Sequence, residues 1–294
     1  MEKKSISIGK EELFYYDINK GNRVILAIHG NSSSSAYYSP LFDKVEEGFR
    51  LIAPDLRGYG DSSYNERVTS LKDFANDLNL FLEKLNVDVV DVIGWSLGGG
   101  VVMELAANYP NKVKTLTLLS STTHKGYPIF KKNEQGQAKF GEVYESVDTL
   151  QFDPVQVVPL QTAYQMKNFD FVKYIYDVTI YTGKNKPTEE QTKLWILDTL
   201  KQRNLVDADW ALATLNMSNE VGFYGMGTDT IKNITQPTLH LWGNKDLIVP
   251  EFMMLDNMRA IKNSINKVYD GCGHSLLVDE ITFFNDVIEF IKSN

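Results

Sequence analysis

Short apolar runs and helical apolar stripes take turns along the first part of this chain. Ser5 to Ile8 and Leu13 to Ile18 predict an opening hairpin. Val24 to Ile28 is a compact apolar strand, and Arg50 to Ala53 another, ended by Pro54. Leu71, Phe74, Leu78, Leu82 and Leu85 recur every three or four residues, so this stretch predicts an amphipathic helix; Ser70 and Asp73 have the spacing of a capping box at its start. Asp88 to Ile93 is mostly β-branched and apolar, interrupted by Asp91, as in a strand buried on both faces. A second helical stripe follows: Leu97, Val101, Leu105 and Tyr109, with Val102 and Ala106 beside them, stopped by Pro110. Thr115 to Leu119 is the next strand. Strands alternating with helices imply a parallel sheet covered on both faces.

The pattern changes between Thr122 and Thr235. That stretch reads as mostly helical, is dense in aromatics such as Phe140, Tyr144, Tyr164, Tyr176, Trp195 and Trp210, and holds no convincing parallel strand. Lys184 to Pro187 reads as a loop between two of its helices. Strand and helix signals then return: Pro237 to Trp242 and Lys267 to Asp270 as strands, Pro250 to Ile261 as a helix, and Ile281, Phe284, Ile288 and Ile291 as the stripe of a closing helix. The expected organisation is an α/β core from residues 1–121 and 236–294, with residues 122–235 as a helical insertion lying over the sheet.

Bulk properties narrow the classes. At 294 residues, 43% hydrophobic and 23% charged, the chain suits one large α/β domain, or a core domain carrying an insertion. Net charge is −8 with both signs interspersed, so the basic stripe that neutralises nucleic-acid phosphates is missing and no nucleic-acid partner is expected. No run is long enough to span a membrane, and Met1 to Lys10 has no apolar signal segment. Cys272 is the single cysteine, which excludes an intrachain disulfide and fits a reducing cytoplasm. Histidines are scattered and no Cys/His spacing matches a zinc site, so neither metal nor cofactor is expected. Nothing in the pattern indicates an oligomeric state.

The chemistry concentrates at Gly94-Trp95-Ser96-Leu97-Gly98, which fits the G-x-S-x-G nucleophile elbow. It lies where that motif works, between a buried strand and a helix. A serine hydroxyl needs a base, and the base needs an orienting acid. Of the four histidines, His274 lies in the loop Gly271-Cys272-Gly273-His274 after the last strand, at the sheet edge where Ser96 must lie. His29 reads as an anchor for the loop that follows it, His124 as a surface or hinge residue, and His240 as a core histidine within a strand. Asp246, in the loop after the strand ending at Trp242, is the first choice for the acid; Asp279 and Asp270 are weaker alternatives. An oxyanion needs two donors. The N–H of Leu97 is one by the geometry of the elbow; the N–H of Asn31, after the strand ending in His29, is the expected second, and the Asn31 side chain could add a third contact.

His29-Gly30-Asn31, Asp55-Leu56-Arg57-Gly58-Tyr59-Gly60-Asp61-Ser62, the elbow, Gly243-Asn244-Lys245-Asp246 and Gly273-His274 occur in that order. Together they resemble the α/β-hydrolase family over almost the whole chain. The resemblance implies an eight-stranded, mostly parallel sheet flanked by helices, with a helical cap inserted after the sixth strand. It also implies a structural turn at Asp55 and Arg57, outside the active site. Serine at position 96 departs from the dehalogenases and epoxide hydrolases of this fold, which carry aspartate there. The run His29 to Ser35 and the elbow are also similar to bacillar intracellular polyhydroxybutyrate depolymerases and to 3-oxoadipate enol-lactonase-like hydrolases. The expected function is a serine hydrolase of carboxylic esters acting on a small-molecule ester, a lactone or a polyester. A non-catalytic ligand-binding protein on the same scaffold is the alternative, and perhydrolase or C–C bond hydrolysis by the same residues is a further possibility.

Overall fold

The computed structural model describes residues 1–294. Its first six strands are β1 (Lys4–Ser7), β2 (Glu12–Asn19), β3 (Arg23–Ile28), β4 (Phe49–Pro54), β5 (Val90–Trp95) and β6 (Val113–Leu119), with helices α1 (Leu71–Lys84) and α2 (Leu97–Asn108) among them. The next sheet strands are β11 (Thr238–Gly243) and β12 (Ser264–Tyr269), and the eight-stranded order is β1-β2-β4-β3-β5-β6-β11-β12. Pairing is antiparallel from β1 through β2 to β4 and parallel across the remaining strands. The sheet matches the fold implied by the resemblance.

Period-two alternation within the central strands explains why both faces are covered. Val24, Leu26 and Ile28 of β3 and Val90 and Val92 of β5 pack toward α1 and α2. Ile25, Ala27, Ile93 and Trp95 point the other way, into a second apolar layer that includes Phe284, Ile288 and Ile291 of the closing helix. Each such aliphatic side chain contributes roughly 1.5–3 kcal/mol on full burial. The one charge inside β5, Asp91, is paired with Arg23 at 2.7 Å and accepts from the Thr115 hydroxyl at 2.7 Å, so its burial is compensated. At the start of α1, the Asp73 carboxylate accepts the N–H of Ser70 at 3.0 Å.

Between β6 and β11 the chain forms two antiparallel hairpins, β7 (Phe130–Lys132) with β8 (Ala138–Val143) and β9 (Val221–Gly222) with β10 (Gly225–Met226). It also forms the helices α3 (Val147–Leu150), α4 (Val157–Gln165), α5 (Phe169–Thr179), α6 (Glu189–Thr199) and α7 (Leu205–Thr214). The helices and the Lys184–Pro187 loop follow the sequence pattern; the hairpins do not. Their strands are short and, apart from the partly buried β7, solvent-exposed, so they carry no apolar alternation to read. The chain closes with α8 (Glu251–Ala260), the short α9 (Leu276–Asp279) and α10 (Phe283–Ser293). No helix is long and apolar enough to cross a membrane.

A cluster of charges at Lys3 ties the segment between β6 and β11 to the first part of the chain. The Lys3 ammonium sits among Asp55 at 2.7 Å, Asp61 at 3.0 Å and Asp198 of α6 at 2.7 Å. Those three carboxylates offer oxygens within 4.8 Å of one another, and Lys3 together with Lys201, which pairs with Asp61 at 2.8 Å and Asp198 at 2.5 Å, supplies the positive charge that their closeness demands. Arg57 pairs with Asp77 of α1 at 2.8 Å, and Asp55 accepts from the Ser35 N–H at 2.8 Å and hydroxyl at 2.7 Å. Both side chains are thus committed to structure.

Candidate active site

Ser96 occupies a backbone conformation that side-chain-bearing residues rarely adopt, φ 56° and ψ −119°, at a typical cost of about 1–3 kcal/mol. Its surroundings enforce this. The Ser96 N–H donates to Leu119 O at 3.0 Å, and its carbonyl accepts from Gly99 N at 3.0 Å and Thr122 N at 3.2 Å. The two glycines of the motif permit the close crossing of β5 and α2. A Cβ on Gly94 would stand 2.4 Å from the Gly98 carbonyl oxygen, and one on Gly98 would stand 2.3 Å from that of Ile28. The chain after β3 passes directly beside the serine: a Cβ on Gly30 would lie 3.0 Å from Ser96 Cβ.

His274 is buried, in the loop between β12 and α9. Its Nδ1 lies 2.8 Å from Asp246 Oδ2. The other Asp246 oxygen accepts the N–H groups of Ile248 at 2.8 Å and Val249 at 2.9 Å, which fixes the carboxylate plane. The His274 carbonyl accepts from the Trp95 indole at 2.9 Å, and the two rings lie 5.3 Å apart. Since Trp95 immediately precedes Ser96, this bond ties the histidine loop to the elbow. Tyr37 stacks on Trp95 with ring centroids 4.2 Å apart and hydrogen-bonds the Ser275 hydroxyl, holding the same junction from the other side.

The alternative acids are engaged elsewhere. Asp279 accepts from Gly273 N and Asn185 N, both at 2.8 Å, and Asp270 accepts from Asn244 Nδ2 at 2.7 Å. Asp279 thereby fastens the backbone beside His274 to the loop between α5 and α6.

The other histidines are buried too. His29 Nε2 accepts the Leu56 N–H at 3.0 Å, so Nδ1 carries the proton and donates to Gly30 O at 2.8 Å. Burial pushes its pKa down, and with both ring nitrogens taken it anchors the loop, as the sequence suggested. His240 faces the Ser264 hydroxyl at 3.1 Å, and burial pushes its pKa down to about 4. His124 corrects the expectation of a surface position. It is buried, with its N–H donating to Asn257 Oδ1 at 2.7 Å, and desolvation lowers its pKa.

Leu97 is the first residue of α2, where backbone N–H groups have no intrahelical partner and the helix dipole favours negative charge. The Asn31 N–H has no acceptor within the protein. The Asn31 side chain, expected as a third contact, serves the loop instead. Its Oδ1 accepts from Ser32 N at 2.9 Å, Tyr59 OH at 2.9 Å and Gln202 Nε2 at 3.0 Å, and its Nδ2 donates to Asp209 at 2.7 Å. Sequence reading missed Asp209 and Gln202. One signal was present: Asp209 is a carboxylate within a helix whose neighbouring positions Ala208, Trp210, Ala211 and Leu212 are apolar.

A cavity of about 600 Å³ lies elsewhere, lined by Leu71, Phe130, Leu215, Phe223, Met226 and other residues, none of them Ser96, Asp246 or His274. Of the methionines between β6 and β11, Met217 is buried whereas Met166 and Met226 face solvent. Trp195, Tyr176 and Tyr181 are packing residues.

The family model described as the alpha/beta hydrolase fold matches residues 23–281. Among curated proteins, the chain is 25% identical to a bifunctional esterase/perhydrolase of Acinetobacter calcoaceticus, over 96% of each chain. It is 21% identical to a 2-hydroxy-6-oxononadienedioate/2-hydroxy-6-oxononatrienedioate hydrolase of Pseudomonas putida, over 94% of this chain and 90% of that one. An esterase of Exiguobacterium antarcticum has a similar solved structure, with a TM-score of 0.72 at 20% identity over 96% of each chain. With its elbow, its sheet and this match, the chain belongs to the alpha/beta hydrolase family and is a hydrolase enzyme.

Proposed function

We propose that this hydrolase cleaves carboxylic esters through an acyl-enzyme formed on Ser96, with His274 as general base and acid and Asp246 as its orienting carboxylate. The observation that carries the reading is the 2.8 Å contact between His274 Nδ1 and Asp246 Oδ2, made in a loop that is bonded to the residue preceding Ser96. Asp246 holds the proton on Nδ1, which leaves Nε2 free to take the Ser96 proton as the hydroxyl attacks the ester carbonyl. Asp246 then stabilises the imidazolium. The N–H groups of Leu97 and Asn31 receive the oxyanion. Collapse releases the alcohol, which takes its proton from His274. A water deprotonated by His274 attacks the acyl-enzyme, and a second collapse releases the acid and restores Ser96.

Residues 122–235 serve in this reading as a cap over the core formed by residues 1–121 and 236–294, and their packing shapes the substrate site. The similarity to an esterase/perhydrolase and to a solved esterase supports an ester substrate.

The test is a panel of short p-nitrophenyl esters, lactones and amorphous polyhydroxybutyrate, run with wild-type protein and Ser96→Ala, alongside a fluorophosphonate probe. Ester turnover should fall by roughly 10⁶-fold in the variant if the three residues act as a unit, and the probe should label Ser96. Turnover that survives the substitution, or folded protein that resists the probe, refutes the proposal. Hydrogen peroxide and a vinylogous diketone as co-substrates separate perhydrolysis and C–C cleavage from ester hydrolysis.

A further inference from the structure

Asp209 is 1% exposed, and its carboxylate meets no lysine, arginine or histidine. Its two partners are neutral amides, Asn31 Nδ2 at 2.7 Å and Gln156 Nε2 at 3.2 Å. An isolated buried carboxylate is costly, and folds retain one chiefly where its hydrogen bonds do something specific. Here the bond crosses from α7 to the loop that follows β3. It ends on the side chain of Asn31, whose own N–H has no acceptor within the protein and which follows Gly30, the residue packed against Ser96.

The Asn31 carboxamide is the hub of that loop. Three donors converge on its oxygen, including the N–H of Ser32, whose φ of 51° marks a strained turn. Thr199 of α6 adds a bond to the Ser32 carbonyl at 3.1 Å. Rotating the carboxamide would release the Ser32 N–H and disturb the Asn31–Ser32 peptide, and a change in the backbone at Asn31 is passed to the Gly30–Asn31 peptide that carries the Asn31 N–H. Asp209 supplies the one acceptor that holds the nitrogen end of the carboxamide. A bond from an amide to an ionised carboxylate is stronger than its neutral counterpart.

The geometry points to Asp209 as a positioning residue for the oxyanion-binding loop: its carboxylate, reaching from α7 to the Asn31 carboxamide, fixes the orientation of the Asn31 N–H for the reaction. This rests on the ester-hydrolase reading of Ser96 and adds to it a residue that acts without touching substrate. It makes α7 a functional part of the site, in addition to any part it plays in shaping a pocket. The hold depends on charge. Burial pushes the Asp209 carboxyl up to about 7, helped by the negative charge of Asp153 and opposed by the two amide donors. The other groups facing it are the phenols of Tyr59 and Tyr164, which burial keeps neutral, and Asp153 is itself paired with Lys132 at 2.9 Å. The sign follows: the hold is complete above neutral pH and weakens as pH falls through about 7.

The experiment compares wild type, Ser96→Ala, Asp209→Asn, Asn31→Ala and the Asp209→Asn/Asn31→Ala double variant on a neutral p-nitrophenyl ester, with active sites counted by fluorophosphonate titration. Removing an oxyanion donor outright costs about 10²–10³-fold in kcat, so a misdirected one in Asp209→Asn should cost about 10-fold with KM little changed. Asp209→Asn should also lack the Asp209 ionisation expected near neutral pH in the wild-type kcat profile, and the double variant should be no slower than Asn31→Ala alone. Full kcat per titrated site in Asp209→Asn, an unaltered pH profile, or additive losses in the double variant would overturn the proposal. Should Asp209→Asn fail to fold, Gln156→Leu, which removes the other donor to the carboxylate, must shift the same ionisation upward; an unmoved profile refutes the idea. Ester turnover in wild type that is indifferent to Ser96→Ala would strike the ester-hydrolase reading itself and take this proposal with it. A Ser96-dependent wild type beside an unperturbed Asp209→Asn strikes this proposal alone.

Discussion

Replacing Asp246 by asparagine is the sharpest perturbation available, because the surroundings dictate how the new amide must sit. Asp246 Oδ1 accepts two backbone N–H groups, those of Ile248 and Val249. Turning an NH₂ toward both would set donor against donor, at about 1–3 kcal/mol for each N–H left unsatisfied. The amide oxygen of the variant therefore stays at the Oδ1 position, and the NH₂ falls at the Oδ2 position facing His274 Nδ1. Nδ1 must then accept, so the proton moves to Nε2, the atom meant to receive the Ser96 proton. The same tautomer error in a serine protease lowers kcat by about 10⁴, equivalent to about 5 kcal/mol of transition-state stabilisation. The fold should hardly notice, since shape and backbone bonds are kept; the melting temperature should move by no more than about 4 °C. Steady-state hydrolysis of a p-nitrophenyl ester and a calorimetric scan measure the two quantities. A folded Asp246→Asn protein within tenfold of wild-type kcat would refute the assigned role of Asp246.

Further predictions address the scaffold around the site. His240 is neutral in the folded protein with its pKa depressed to about 4, so the stability it contributes is full above its ordinary value near 6.5 and is lost as pH falls toward 4. Between about pH 7 and about pH 4, urea melts of wild type should show about 3 kcal/mol more loss than those of His240→Val; equal losses would contradict this. Gly98→Ala would drive a Cβ against the Ile28 and His29 carbonyl oxygens at 2.3 and 2.5 Å, lowering stability and kcat together. The stability loss should be about 1–3 kcal/mol or more by chemical denaturation, and an unchanged midpoint would dismiss the crowding argument. Cys272 is fully buried, and burial raises its thiol pKa. Native protein should resist a thiol reagent that labels the denatured chain stoichiometrically, with activity unchanged during exposure; rapid native labelling would count against the packing role.

The sheet was legible because its strands are short, apolar and bounded by turn residues, and because buried faces need side chains that alternate as Val24, Leu26 and Ile28 do against Ile25 and Ala27. The nucleophile elbow was legible because a strained turn between strand and helix requires glycines at fixed offsets. What escaped was whatever depends on partners far apart in sequence. In the hairpins β7–β8 and β9–β10, β7 is partly buried and the other strands are almost wholly exposed, so their sequences record no alternating face. Asp209 and Asn31 are 178 positions apart, and no local pattern links them. His124 read as a surface or hinge residue, yet it is buried, with its N–H taken by Asn257, more than a hundred positions on. Asp246 and His274, by contrast, lie only 28 residues apart on adjacent loops, which is why their meeting could be anticipated.

The lysine near the start of the chain has a practical consequence. Lys3 pairs with Asp55, Asp61 and Asp198, with Lys201 as the second cation on Asp61 and Asp198, and Asp198 lies 195 positions downstream of Lys3 on α6. Asp198 also accepts from the Ser34 hydroxyl at 2.8 Å, in the loop that begins with Asn31. Replacing Lys3 by methionine would leave Asp55 without a cationic partner and Asp61 and Asp198 with Lys201 alone, so that carboxylate repulsion rises at the seam between α6 and that loop. A charge lost at residue 3 would then be felt in the loop after β3, which passes beside Ser96.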